Sequence, residues 1–286
     1  MTCIATVVFD TVRADVFAEV FDWLPGTQFD AAYSTSHWTG GAHASLFTGM
    51  YPSEAAVTVS DWSLSVPQQV LAEQLSAAGY QTRAFSANIN VSPAYGYDRG
   101  FDVFEGTRDI EYPRPSVFNW YRHLEEHEHP RLAYLTGAGK VLTGEYATTQ
   151  SLRLGLKELA SGTTVDDSDD GARQFRDLVQ SLSISDPTFL FANLMEAHQP
   201  YHAPPAYQTS EPYDLGPAFE TTLRNRFEDP ADALADGVAH NHDAPHANRA
   251  RTAYTDCVRY LSDVYHSVFQ TLQNTFDYVI TLGDHG

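Results

Sequence analysis

Apolar positions along this chain repeat with two different periods. The run CIATVVFD, residues 3–10, is short, apolar and rich in β-branched side chains. It predicts a buried parallel strand with Asp10 at its C-terminal edge. ADVFAEVFDWL, residues 14–24, follows with helical spacing. VPQQVLAEQLSAAGY, residues 66–80, predicts an amphipathic helix with Val70, Leu71, Leu75 and Ala78 on one face and Gly79 as its stop. QTRAFSAN predicts a second strand, and TFLFANLME, almost wholly apolar, a third. RTAYTDCVRYLSDVYHSVFQTLQ predicts a long helix, and FDYVITLGDHG a fourth strand. Strands alternating with helices predict an α/β fold with a mostly parallel central sheet flanked by helices. Such sheets bind ligands beyond the carboxyl ends of their strands. Asp10, Asn88, Glu196, His198, Asp284 and His285 all fall at or just past those ends.

Residues 1–286 are read as one catalytic domain without internal repeats. The segment from about 106 to 185 predicts a helical excursion (SVFNWYRHLEEHEH, TQSLRLGLKELA) that ends in the acidic loop VDDSDD. Residues from about 207 to 250 are polar, acidic and loop-like. His240, His242 and His246 in AHNHDAPH invite a metal assignment, but a solvated loop without fixed spacing rarely preorganises ligands.

Composition changes the picture in two ways. A hydrophobic fraction of 43% over 286 residues supports a large buried core. Acidic residues outnumber basic ones by 37 to 17, a net charge of −20, and only Lys140 and Lys157 are lysines. A surface this acidic repels phosphates, so nucleic acid and anionic membranes are disfavoured as partners. The low lysine count favours a salt-adapted, halophilic protein over one that is acidic merely for solubility. Cys3 and Cys257 are too far apart to suggest a disulfide framework. The N-terminus lacks a basic, then apolar, leader, and no window reaches the roughly 18 apolar residues of a membrane span. The expected location is the cytoplasm.

The chemistry concentrates around STSHWTGGAHASLFTGMYPSE, residues 34–54. Thr39 stands near a predicted helix N-terminus, where free backbone N–H groups favour an anion or developing alkoxide. A plain N-cap threonine is the simpler reading on spacing alone. Asp10 and Asp284 end two different strands, with His285 adjacent to the second. Carboxylates and imidazole form the ligand set of a hard or borderline divalent metal. Such a metal lowers the pKa of a nearby hydroxyl enough to make it a nucleophile.

These segments together resemble the sulfatase family of the alkaline-phosphatase-like superfamily. VVFDTVRADVF resembles that family's opening strand with its metal aspartate, and SHWTGGAHASLFTGMYPSE resembles the segment carrying the nucleophile. GYQTRAFSANINVSPAYGYDRGFDVFE, FANLMEAHQPYHAPPAY and YVITLGDHG resemble the next strand, the histidine stretch and the second metal pair. The five matches run in family order from residue 4 to 286. The resemblance implies Asp10, Thr39, Asp284 and His285 as metal ligands and Thr39 as nucleophile. It implies His198 as the group at the ester oxygens or leaving group, and Asn88 and His198 on the substrate side. His43 takes the place of a catalytic arginine.

The departures redirect the chemistry. The family proper oxidises a cysteine or serine to formylglycine, and Thr39 stands there instead, so no formylglycine is expected. Within the superfamily, threonine occurs in phospho-transfer branches. Thr11 replaces the second aspartate of the usual pair, and His285 stands where many sulfatases have asparagine. This set suits Mn²⁺ or Zn²⁺ better than an all-oxygen Ca²⁺ cage. Gly41 and Ala42 replace a Pro-Ser pair, which suggests a looser turn. Family members continue beyond the position of Gly286, so a truncated chain, a homo-oligomer or a missing C-terminal partner is expected. The implied activity is metal-dependent hydrolysis of a small-molecule sulfate ester. Two alternatives stand beside it: a phosphodiesterase, phosphotransferase or phosphonate monoester hydrolase using Thr39, and an inactive remnant.

Overall fold

A computed structural model describes residues 2–29, 31–58, 61–107, 118, 120, 123, 130–144, 146–161, 171–184, 187–213 and 244–286. Among the described residues, five strands form one parallel sheet: β1 (Ile4–Phe9), β2 (Gln81–Ser86), β3 (Val103–Gly106), β4 (Thr188–Leu194) and β5 (Tyr278–Gly283). Their order across the sheet is β3-β2-β4-β1-β5. Strand β1 therefore lies between β4 and β5, with Phe9 level with Leu194 on one side and Gly283 on the other. That register brings Asp10 and Asp284, one residue beyond two neighbouring strands, to the same height.

Side chains of β1 and β4 alternate between two cores, as the pleat requires. Ala5, Val7 and Phe9 join Leu190, Ala192 and Leu194 on one face, against α1 (Ala14–Val20), α6 (Ala172–Ser181) and α7 (Ala244–Thr275). Val8, Phe189 and Phe191 face the other way, against Ala44 and Phe47 of α2 (Thr39–Thr48) and Val70, which precedes α3 (Leu71–Ala77). Burial on both faces explains why TFLFANL reads as a continuous apolar run. A hairpin of α4 (Pro130–Thr143) and α5 (Thr148–Ser161) builds a satellite core on Phe118, Trp120 and Val141. No described helix is long and apolar enough to cross a membrane.

Several boundaries differ from the sequence pattern. Strand β3 is short and half-buried, too short to show a period of its own. The helix after Val66 starts at Leu71, where Glu73 accepts the Val70 amide at 2.9 Å. Its buried residue is Ala72, while Leu71 and Ala78 are exposed. The Gly100 turn, at φ +80, packs so closely on the backbone of Ala72 and Glu73 that a Cβ at position 100 would collide with it. Helix α7 starts at Ala244, so the predicted loop does not extend to 250. VDDSDD, His240 and His242 lie outside the described residues, as does most of SVFNWYRHLEEHEH.

Candidate functional site

Thr39 is the first residue of α2, and Trp38 occupies the cap position without a side-chain cap bond. The N-cap reading of Thr39 is therefore overturned, and its hydroxyl is turned elsewhere. Oγ1 lies 3.4 and 3.5 Å from the two Asp10 carboxylate oxygens and 3.2 Å from His285 Nε2. The glycines beside it make this possible. A Cβ on Gly40 would run into the Trp38 ring, and one on Gly41 would meet Ser36 Oγ at 2.5 Å. Gly40 and Gly41 thus lie packed against Trp38 and Ser36 in the first turn of α2.

Asp10 is fully buried just past β1. Asn88, beyond β2, donates from Nδ2 to Asp10 Oδ2 at 2.8 Å, and its Oδ1 accepts the Asn90 amide at 2.8 Å. The residue expected to face the ester is thus buried and bonded to the carboxylate. Asn193, on β4, reaches Asp10 Oδ2 at 3.4 Å and His43 Nε2 at 3.0 Å through the same Nδ2. Its Oδ1 is buried and makes no hydrogen bond. The sequence reading passed over Asn193, although a polar residue inside an otherwise apolar, doubly buried strand was the available signal.

Asp284 sits one residue past β5, 2% exposed. Its Oδ1 accepts the amides of Thr11 at 3.0 Å and His285 at 2.8 Å, whereas Oδ2 makes no hydrogen bond. Burial, and next the Asp10 charge, push this carboxyl well above its ordinary range. One donor atom each from Asp10, Asp284 and His285 lies within 4.8 Å of the others. Burial holds the His285 imidazole below its usual value, opposed by Asp10 and reinforced by His198 and His37. His37, absent from the sequence expectations, is therefore within electrostatic reach of His285, as is His198. His198 Nδ1 donates to the Gln199 carbonyl at 2.7 Å, which leaves Nε2 as its exchangeable nitrogen.

His43, expected in the place of a catalytic arginine, is not set to supply charge. It is completely buried, packed edge-on to Phe191, with Nδ1 donating to the Thr39 carbonyl at 3.0 Å and Nε2 accepting from Asn193. Burial pushes it down to about 4 despite the nearby Asp10. It is neutral near pH 7 and braces the first turn of α2 instead of supplying charge. Glu196 is also accounted for: its Oε1 accepts the Ala172 amide at the start of α6, a cap that Gly171 cannot provide.

Thr11 carries the most strained backbone at the site. Its φ of +59 is rare for a β-branched residue and costs on the order of 1–3 kcal/mol. Its hydroxyl donates to the Ala197 carbonyl at 2.8 Å, and its amide holds Asp284. The side chain in place of a second aspartate thus ties β1 to the His198 loop.

The donor set fits a divalent cation. Two buried carboxylates stand close enough to repel, an imidazole completes the cluster, and an Asp284 oxygen is left without a partner. Buried charges of one sign call for a counter-charge.

Fold and site together define an alkaline-phosphatase-like α/β protein. The sulfatase family model matches residues 21–286, and the chain belongs to that family. No curated protein matches the sequence significantly. Among solved structures, the phosphonate monoester hydrolase of Agrobacterium radiobacter is similar over 100% of this chain and 63% of its own, with 15% identity and a TM-score of 0.59. A protein solved in complex with its substrate D-glucosamine-2-N,6-O-disulfate is 12% identical over 99% of this chain and 65% of its own, with a TM-score of 0.58. The C-terminal periplasmic domain of EcEptC from Escherichia coli, in complex with Zn, is 10% identical over 100% and 64%, with a TM-score of 0.51. The chain spans less than two thirds of the length of each. At these identities the likeness concerns the fold.

Proposed function

We propose that this chain carries the centre of a metal-dependent ester hydrolase in which Thr39 attacks a tetrahedral sulfur or phosphorus ester. The observation that carries this reading is the Thr39 hydroxyl lying between Asp10 and His285 at a helix start. Asp10, Asp284 and His285, with Thr39 Oγ1, would hold a divalent cation, whose charge lowers the hydroxyl pKa and offsets charge on the ester oxygens. Thr39 Oγ1 forms the bond to sulfur or phosphorus while the leaving oxygen departs on the opposite side. His198, as its imidazolium, gives that oxygen a proton from Nε2 and regains one from the water of the second step, while the Thr39 hydroxyl proton passes to solvent. Water then cleaves the ester on Thr39 and restores the hydroxyl. Asn88 and Asn193 keep the Asp10 carboxylate in place throughout, and His43 braces the first turn of α2.

A phosphorus ester is the better substrate on one observation. Thr39 cannot become formylglycine, and a threonine at the nucleophile position resembles the phospho-transfer branches of the superfamily. The test is turnover of aryl sulfate, phosphate monoester, phosphate diester and phosphonate monoester with Mn²⁺, Zn²⁺, Mg²⁺ or Ca²⁺. Phosphorus esters are expected to turn over faster, and Thr39→Ala to abolish the activity. No cleavage of any substrate with any ion overturns the reading.

A further inference from the structure

The buried phenol of Tyr254 has no part in the chemistry above. Tyr254 lies on α7, 6% exposed, and its hydroxyl reaches the turn that leaves β1. It donates to the Thr11 carbonyl at 3.0 Å and accepts the Arg13 amide at 2.8 Å. Burial pushes the phenol up to about 12, so it keeps its proton through the neutral range. Its ring packs edge-on to Tyr201, three residues beyond His198, at 5.4 Å.

The turn it grips is the strained one. Thr11, at φ +59, is anchored at three points: its hydroxyl on Ala197, its amide on Asp284 Oδ1 and its carbonyl on Tyr254. The amide bond decides which way the Asp284 carboxylate turns. With Oδ1 held by Thr11 and His285, Oδ2 is the oxygen left 3.6 Å from both His285 Nε2 and His43 Nδ1. If the turn relaxed toward negative φ, the Thr11 amide would rotate away and Asp284 would lose one of its two fixed donors.

We propose that Tyr254 is a positioning residue: by holding Thr11 in its left-handed conformation, it sets the aim of Asp284 Oδ2 on the cation. The inference rests on the reading of Asp10, Asp284 and His285 as a cation centre. It reaches that centre from a helix on the opposite side of the β1 turn, through hydrogen bonds alone.

The test compares wild type, Tyr254→Phe, Thr11→Gly and the double variant, with Mn²⁺ and Zn²⁺ affinity read by calorimetry and the cation-free melting midpoint alongside. Tyr254→Phe is expected to weaken ion binding by about tenfold, the usual size of an outer-layer hydrogen-bond effect on a metal site. Adding Thr11→Gly should recover most of that loss, because glycine adopts a positive φ without the strain that the clamp opposes. A purely structural tyrosine would lower the midpoint and leave affinity unchanged, and that result overturns the inference alone. So does a double variant that binds no better than Tyr254→Phe. Wild-type protein that binds neither ion overturns the cation reading and this inference with it.

Discussion

Thr39 Oγ1 lies 3.2 Å from His285 Nε2, although 246 positions separate the two residues. The contact exists because α2 begins where β5 ends, above the carboxyl edge of the sheet. It is also the geometry expected of a nucleophile and a ligand converging on one charge.

Replacing Thr39 separates chemistry from folding. Thr39→Ala should cut turnover of the preferred ester on the order of 10³-fold or more, as loss of a covalent nucleophile does. Thr39→Ser should keep measurable turnover, since it retains the hydroxyl. Steady-state rates on one phosphonate and one aryl sulfate, beside circular dichroism spectra, check both. Equal rates for Thr39→Ala and wild type would rule out the nucleophile.

Asp284→Asn should move stability in opposite directions with and without a cation. The Asp284 pKa is raised by burial and by Asp10, so its charged form costs folding free energy once pH exceeds the ordinary carboxylate range. Asparagine removes that charge while its oxygen can still accept the Thr11 and His285 amides. The cation-free melting midpoint at pH 7 should therefore rise. Wild type should gain about 2.7 kcal/mol with Mn²⁺ or Zn²⁺ at a hundredfold excess over Kd, and the variant little. Thermal scans with the ion and with chelator decide it; a variant stabilised by the ion as much as wild type defeats the prediction.

His43 gives the pH dependence its sign. Its folded value of about 4 lies below the ordinary 6.5, so the unfolded chain takes up the proton first as pH falls. Stability from this group is complete above about pH 6.5 and is lost toward pH 4, a change of about 3 kcal/mol. His43→Leu should cost about 2–4 kcal/mol near pH 7, because the Thr39 carbonyl and the Asn193 amide lose their partner. It should also flatten this part of the curve. Urea titrations of both proteins between pH 4.5 and 7.5 supply the difference; parallel curves would exclude His43 as the titrating group.

Net charge of −20 predicts that salt stabilises this protein. Screening shortens the Debye length to about 3 Å at 1 M salt and weakens the mutual repulsion of surface carboxylates. The melting midpoint should climb between 0.1 and 2 M KCl. A flat or falling midpoint argues against salt adaptation.

The candidate site was partly legible in the sequence, and the unread parts share a cause. Asp10, Thr39, Asp284 and His285 carry family motifs and stand at element ends, where polar residues after apolar runs are conspicuous. Asn193 was passed over because its strand was read for its almost wholly apolar run and not for the one amide inside it. Tyr254 and Ala72 were hidden because a helix pattern shows which face is apolar, not what that face meets. Leu71 was assigned inward by period, yet it is exposed and Ala72 is the buried residue, beside the close-packed Gly100 turn. Thr11 was legible only as a departure from the family's aspartate pair, since its importance lies in φ and in its backbone amide.

By itself the sequence determined the alternation of strands and helices, the α/β class and the polar residues that end each strand. Those follow from periodicity within windows of ten or twenty residues, where burial of one face is a local property. Only the tertiary structure decided that β1 lies between β4 and β5, and so that Asp10 meets Asp284 and Thr39 meets His285. Strand order depends on how both cores pack across the whole sheet, and that long-range fit leaves no trace in any one segment.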